Sequence, residues 1–221
     1  PTAEDMANAE KQIMDADKAV AEANGDSNTI KQAVRAIGGK VDTYKLYSSI
    51  DSKVQEAIKA GKNYGPVLEG ETWKASYLVS DVTAPATFEF EVATVSNIIE
   101  ANELVETLKA NGGDFTKLET AVDVANETRE MVKMNETDAK NFIDKKVGDI
   151  FVYTYNHKPA VVKITKLGDK ERFVLIANIE KSVKASELTN RNIVNSVDKF
   201  VQEAGNTVES FNEAANNAHY Q

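Results

Sequence analysis

The chain predicts an α+β fold: small antiparallel sheets with packed helices, repeated at a period of about 90 residues and closed by a C-terminal helical segment. Three observations lead there. Two stretches alternate apolar and polar residues around a short turn, at Tyr64 to Val79 and Ile150 to Lys166. Each is followed by a further strand-like run, Phe88 to Val95 and Phe173 to Ile179. Amphipathic helices ending in glycine precede each hairpin and recur after the second.

The first hairpin runs from Tyr64 to Leu68, turns at Glu69-Gly70-Glu71 and leaves through Trp73 to Val79. Period-two alternation puts Trp73, Ala75, Tyr77 and Val79 on one face, with Lys74 and Ser76 on the other. The second opens at Gly148, turns at Asn156-His157-Lys158 and leaves through Ala160 to Lys166. Gly61 and Gly148, Tyr64 and Phe151, Gly70 and His157, and Tyr77 and Ile164 are each 87 apart, so the hairpins align without a gap.

The first helix spans Ala3 to Asn24, with Thr2 and Asp5 at its start, Ile13, Ala16 and Val20 inward and Gly25 at its end. Helices at Asn28 to Ile37 and Asp51 to Ala60 flank an irregular stretch containing Tyr44, Leu46 and Tyr47. Asn97 to Ala110 is helical with Ile98, Ala101, Val105 and Leu108 inward, and a new helix is expected from Asp114. Residues 122–135 carry no clear period; Thr128 to Met134 reads as strand or extended loop. Asp138 to Lys146, Glu187 to Ala204 and Val208 to Ala218 complete the helices. Ile13 and Ile193, Val20 and Phe200, and Gly25 and Gly205 are 180 apart, so the closing helices match the opening ones. The chain divides accordingly into residues 1–85, 86–168 and 169–221.

With 221 residues and 42% apolar content the chain can bury one large core or two small ones. A net charge of −9 and no basic patch argue against nucleic acid. Cysteine is absent, which removes disulfides, thiolate nucleophiles and Cys-based zinc sites. No apolar run approaches the roughly 20 residues of a membrane helix, and the chain reads as a soluble segment of something longer. His157 reads as a polar turn residue, and Asp15, Asp17 and Glu22 as a solvated helix face lacking the glycine and closing Glu of a calcium loop. Phosphate loops, metalloprotease pairs and nucleophile elbows have no match, and no cofactor is expected. Asn126-Glu127-Thr128 and Asn135-Glu136-Thr137 fit the glycosylation triplet.

Asn111-Gly112-Gly113-Asp114-Phe115, Lys146-Val147-Gly148-Asp149-Ile150 and the strand Ala160 to Thr165 resemble junctions of the parvulin-type peptidyl-prolyl isomerases. Tyr64-Gly65-Pro66-Val67 with Trp73 to Val79 resembles a hairpin of SurA/PpiD-like periplasmic folding factors in their multi-module forms. The resemblance implies a parvulin-like unit in the order β-α-α-(β)-α-β-β, a periplasmic location with tethering through a segment outside this chain, and unfolded or nascent polypeptide as partner, outer-membrane protein clients included. It also implies two histidines facing each other across the sheet. Aligned by strand these fall at Val92 and Ala160, neither of which can exchange a proton. The expectation is a chaperone segment without isomerase activity, the alternative an active isomerase that tolerates the loss. Met131, Met134, Phe142, Tyr153 and Tyr155 are the candidate peptide-binding residues, because the corresponding region of parvulins forms a shallow apolar groove. The same five also suit a core.

Overall fold

The computed structural model describes residues 1–205 and 207–217, so the expected end of the last helix at Ala218 lies outside the described residues. Seven helices lie within them: α1 (Ala3–Glu22), α2 (Ser27–Ala36), α3 (Ser52–Lys59), α4 (Ile98–Ala110), α5 (Glu136–Phe142), α6 (Glu187–Ala204) and α7 (Val208–Asn217). The strands are β1 (Lys40–Val41), β2 (Lys45–Leu46), β3 (Tyr64–Glu69), β4 (Thr72–Pro85), β5 (Thr87–Thr94), β6 (Val124–Glu130), β7 (Ile150–Tyr155), β8 (Lys158–Leu167) and β9 (Lys170–Ser182). They form two antiparallel sheets, an α+β architecture as expected: sheet A in the order β1-β9-β4-β3 with β2 also on β9, and sheet B in the order β6-β5-β8-β7.

The sheets are joined by exchange of strands. β4 leaves its hairpin in sheet A and continues into β5 in sheet B, while β8 leaves its hairpin in sheet B and continues into β9 in sheet A. Backbone bonds run on through the crossover, from Ala86 N to Asp169 O and from Gly168 N to Thr87 O, between the flanking pairs Pro85/Lys170 and Phe88/Leu167. One continuous two-stranded ribbon therefore supplies the inner strands of both sheets, and β9, in the third expected segment, completes the sheet of the first.

Strand pairing corrects the gapless alignment. Tyr64 and Phe151 do match, because each pairs with its hairpin's counterpart, Ser76 and Val162. Beyond them β3 carries an extra residue, a bulge at Gly65 and Pro66 between the Tyr64 and Val67 pairings. Gly65 has a φ of +78°, and a Cβ there would collide with the Lys74 carbonyl oxygen, so glycine is required. From the bulge onward equivalent positions are 86 apart: the turns Gly70-Glu71 and Asn156-His157, and the bulged residues Val79 and Thr165. Tyr77 thus matches Lys163, not Ile164; one residue of slip moves a side chain to the opposite face. The second turn has positive φ at both Asn156 and His157, the pattern of the tight turns whose twist suits a hairpin.

Other expected elements shift in extent. β4 runs past the expected strand end at Val79 as far as Pro85. The helix expected from Asp114 is a single 3₁₀ turn, Phe115–Lys117, capped by Asp114, and the helix expected from Asp138 is α5, which stops at Phe142. The irregular stretch from Tyr44 becomes β2 and a 3₁₀ turn, and the unreadable 122–135 stretch contains edge strand β6.

Helices α1 and α2 cover one face of sheet A, with Ile13, Ala16, Val20, Ile30 and Val34 against Ala75, Tyr77, Ala177 and Ile179. α4 covers the corresponding face of sheet B through Ala101, Val105 and Leu108; Ile98, expected inward, lies exposed in its first turn. α3 and α5 lie on the opposite faces of their sheets. The largest core forms where the α5 face of sheet B meets the far end of sheet A, joining Phe88, Phe90, Met131, Met134 and Phe142 to Tyr44, Phe173 and Leu175. Buried Asp5 ties the closing helices to the opening ones: it accepts from Thr2 N at 2.8 Å, from Ser186 N at 3.0 Å and from Thr189 Oγ1 at 2.9 Å, which holds its carboxyl well below the usual range. Along α6, Ile193, Val197 and Val201 are exposed where the matching Ile13 of α1 is buried.

Candidate functional site

The seven residues singled out from the sequence fall together on the α5 face of sheet B. Met131, Met134 and Phe142 have no exposed surface, Ala160 none, Val92 2% and Tyr153 7%. Phe142 is the hub, its ring 5.2–5.6 Å from those of Phe88, Phe90, Phe151 and Tyr153. The Tyr153 hydroxyl donates to Asp138 Oδ1 at 3.2 Å, and burial followed by that carboxylate pushes its pKa up. Half-buried Tyr155 reaches across the curled sheet to Glu127 Oε1 at 2.5 Å, and its pKa is raised chiefly by that bond. A side chain without accessible surface offers none to a ligand. Of the five aromatic and methionine candidates only Tyr155 is within a partner's reach.

The corresponding face of sheet A is built differently on the same frame. In sheet B the rung through Val92, the first of the two positions expected from the resemblance, reads Phe151, Val162, Val92, Ala125. In sheet A the matching rung reads Tyr64, Ser76, Asn178, Lys40. The rung through the second position reads Tyr153, Ala160, Thr94 in sheet B and Val67, Lys74, Glu180 in sheet A. Asn178 and Lys74 therefore occupy the two places that are apolar in sheet B.

Between these rungs and α3 lies a cleft of about 330 Å³. Val54, Ile50 and Ile176 are among its apolar lining; its polar lining includes Tyr64, Lys53, Lys74, Ser76 and Asn178 together with the carboxylates Asp51, Glu69 and Glu180. Ser76 Oγ donates to Asn178 Oδ1 at 2.7 Å, and the Asn178 Nδ2 has no partner among the described residues. Glu69 accepts from Lys53 at 2.7 Å, Lys74 at 2.9 Å and the Tyr64 hydroxyl at 2.9 Å. Lys53, Lys74 and Tyr64 together hold its pKa down to about 2, and both lysines are raised in return. Each ammonium has three donors, so one shared carboxylate leaves donors over. The cleft thus offers amide and ammonium donors beside an apolar floor, a set that suits polypeptide backbone carbonyls and an apolar side chain.

Sequence reasoning passed over Asn178, Lys74 and Ser76. The signal that reaches them is the 86-residue offset, which carries Val92 to Asn178 and Ala160 back to Lys74. Among the described residues no group of three or more His, Asp or Glu side chains is placed to hold a metal ion, and no helix is long and apolar enough to cross a membrane. No family model matches the chain, and neither a curated protein nor a solved structure matches it.

Proposed function

We propose that this chain is a segment of a multi-module periplasmic folding factor of parvulin type that holds unfolded polypeptide without isomerising it. The observation that supports the reading is the element order of residues 87–167: strand, helix, 3₁₀ turn, strand, helix and hairpin in one four-stranded sheet, with buried Val92 and Ala160 where histidines would face each other. On this reading sheet A is a second copy of the unit, and its cleft takes the client that the filled face of sheet B excludes. The clients are unfolded or nascent chains, outer-membrane proteins among them.

The test is dilution of a urea-denatured outer-membrane β-barrel protein into buffer with and without this chain. Light scattering is expected to fall in its presence, and a protease-coupled assay on a proline peptide is expected to show no acceleration. Unchanged scattering would defeat the reading. A second reading, an isomerase centred on the cleft, is favoured by the polar pair Lys74 and Asn178 at the two key rungs. It predicts acceleration that disappears in Asn178→Ala.

A further inference from the structure

Four strand edges close the two sheets, and three are blunted. β1 and β2 are two residues each, β3 carries the Gly65-Pro66 bulge and lacks an N–H at Pro66, and β6 carries Glu127, Arg129 and Glu130. These are the devices by which sheets avoid pairing with stray chains. The remaining edge, β7, reads Ile-Phe-Val-Tyr-Thr-Tyr, unbulged against β8 and free of proline and charge.

Its outward hydrogen-bonding groups follow from the ladder. In a two-residue hairpin the closing pair, Tyr155 and Lys158, exchanges bonds, and the pairs alternate from there. Tyr153 and Phe151 then face β8, and the next inward-facing residue, Asp149, accepts from Ile164 N at 3.0 Å as that parity requires. Pro159, on the other phase, accepts from Val95 N on the β5 side, as it should. Ile150, Val152 and Thr154 therefore turn their N–H and C=O groups away from the sheet, and none of these has a partner among the described residues. Both faces beside the edge are apolar: Ile150 and Val152 lie against the α4 core, Phe151 and Tyr153 against the α5 core.

We propose that the β7 edge is a strand-addition site for an extended, proline-free client segment rich in β-branched residues, paired to the backbone of Ile150, Val152 and Thr154. Unpaired main-chain donors and acceptors recognise backbone and little else, and the flanking apolar faces select side chains that extend them. The inference rests on the folding-factor reading and supplies a binding mode for it, separate from the cleft.

The probe is a lysine-flanked, end-blocked peptide of alternating valine and threonine, followed by fluorescence anisotropy. Thr154 is exposed and its N–H faces outward, so Thr154→Pro removes a donor from the edge and leaves the β7–β8 bonds in place. Binding is expected to weaken about tenfold in this variant, with unchanged circular dichroism and melting. The same peptide N-methylated at alternate residues is expected not to bind the unchanged protein. Equal binding to both proteins would overturn the proposal, as would a protein dimer that Thr154→Pro converts to monomer, which would assign the edge to a second copy. Holding of the denatured barrel protein with no peptide binding would overturn strand addition alone. Failure of both would overturn the folding-factor reading with it.

Discussion

The α3 face of sheet A and the α5 face of sheet B share a strand frame and differ in almost every property that bears on binding. Rung for rung, Val162 and Val92 stand where Ser76 and Asn178 stand in sheet A, and Ala160 stands where Lys74 does. Phe142 fills the space under α5, whereas α3 presents Val54 and half-buried Ile58 to its sheet. The second difference is the neighbour. The α5 face is also capped by Tyr44, Phe173 and Leu175 from the far end of sheet A, while the α3 face keeps an open cleft. The comparison teaches that an open face and a filled one can stand on closely similar strand frames, the difference lying mainly in a few side chains and one packing partner.

The largest expected contrast is in truncation under the two helices. Phe142→Ala should cost about 3–5 kcal/mol, since it empties the centre of a ring cluster, and Ile58→Ala at most about 2, with denaturant midpoints as the measure. Equal losses would show that the cleft is as tightly packed as the core. Next is the tie between the halves. Lys31 of α2 pairs with Glu136 at the start of α5, their side chains 16% and 11% exposed, and Ser27 and Lys140 support the same carboxylate. Burial opposes ionisation of Glu136, but Lys31 and Lys140 outweigh it and its pKa is lowered. Lys31→Met should cost about 1–2 kcal/mol and show little loss when Glu136 is already replaced by Gln.

A smaller effect sharpens the comparison at its central rung. Asn178→Val alone deprives Ser76 of its acceptor and should cost about 1 kcal/mol; with Ser76→Val added, the rung acquires the valines of sheet B and stability should return to near its starting value. If the proposed function holds, the double variant should still lose its effect in the scattering assay, and a thermal scan beside that assay would separate the loss from a change in stability. The smallest effect is the response to acid. Glu69 has a folded pKa of about 2 against an ordinary 4.5, so its contribution is complete above 4.5 and lost as pH falls through about 2. A carbon-detected titration of the Glu69 carboxyl should place its midpoint there, and Lys74→Met should move it upward.

Much of the local structure was legible in the residues. Alternation around Gly70 and around Asn156-His157 marks both hairpins, and residues such as Thr2 and Asn97 mark helix starts by bonding the first-turn amides. Strand β6 was read only in part, through the strand-or-loop reading of Thr128 to Met134, because an edge strand of Val-Ala-Asn-Glu-Thr-Arg-Glu has no buried alternate face to betray it. The extra residue at Gly65-Pro66 escaped because a bulge leaves the hydrophobic pattern intact on one arm while shifting it on the other. For a related reason the residues alone left the candidate site open between groove and core. Methionine and aromatic residues look the same in sequence whether they line a groove or fill it, and Met131, Met134 and Phe142 fill it.

From the order of its residues alone, this chain was committed to two hairpins, glycine-ended helices and side chains with no exchangeable proton at Val92 and Ala160. Those are properties of neighbouring residues and of residue identity. Which strand completes which sheet was decided only in three dimensions, because β4 and β9 meet across about a hundred residues of chain and no local preference distinguishes that partner from β5. The same long-range pairing presses one sheet's end against the α5 face of the other, which is why one face is sealed and its counterpart stays open.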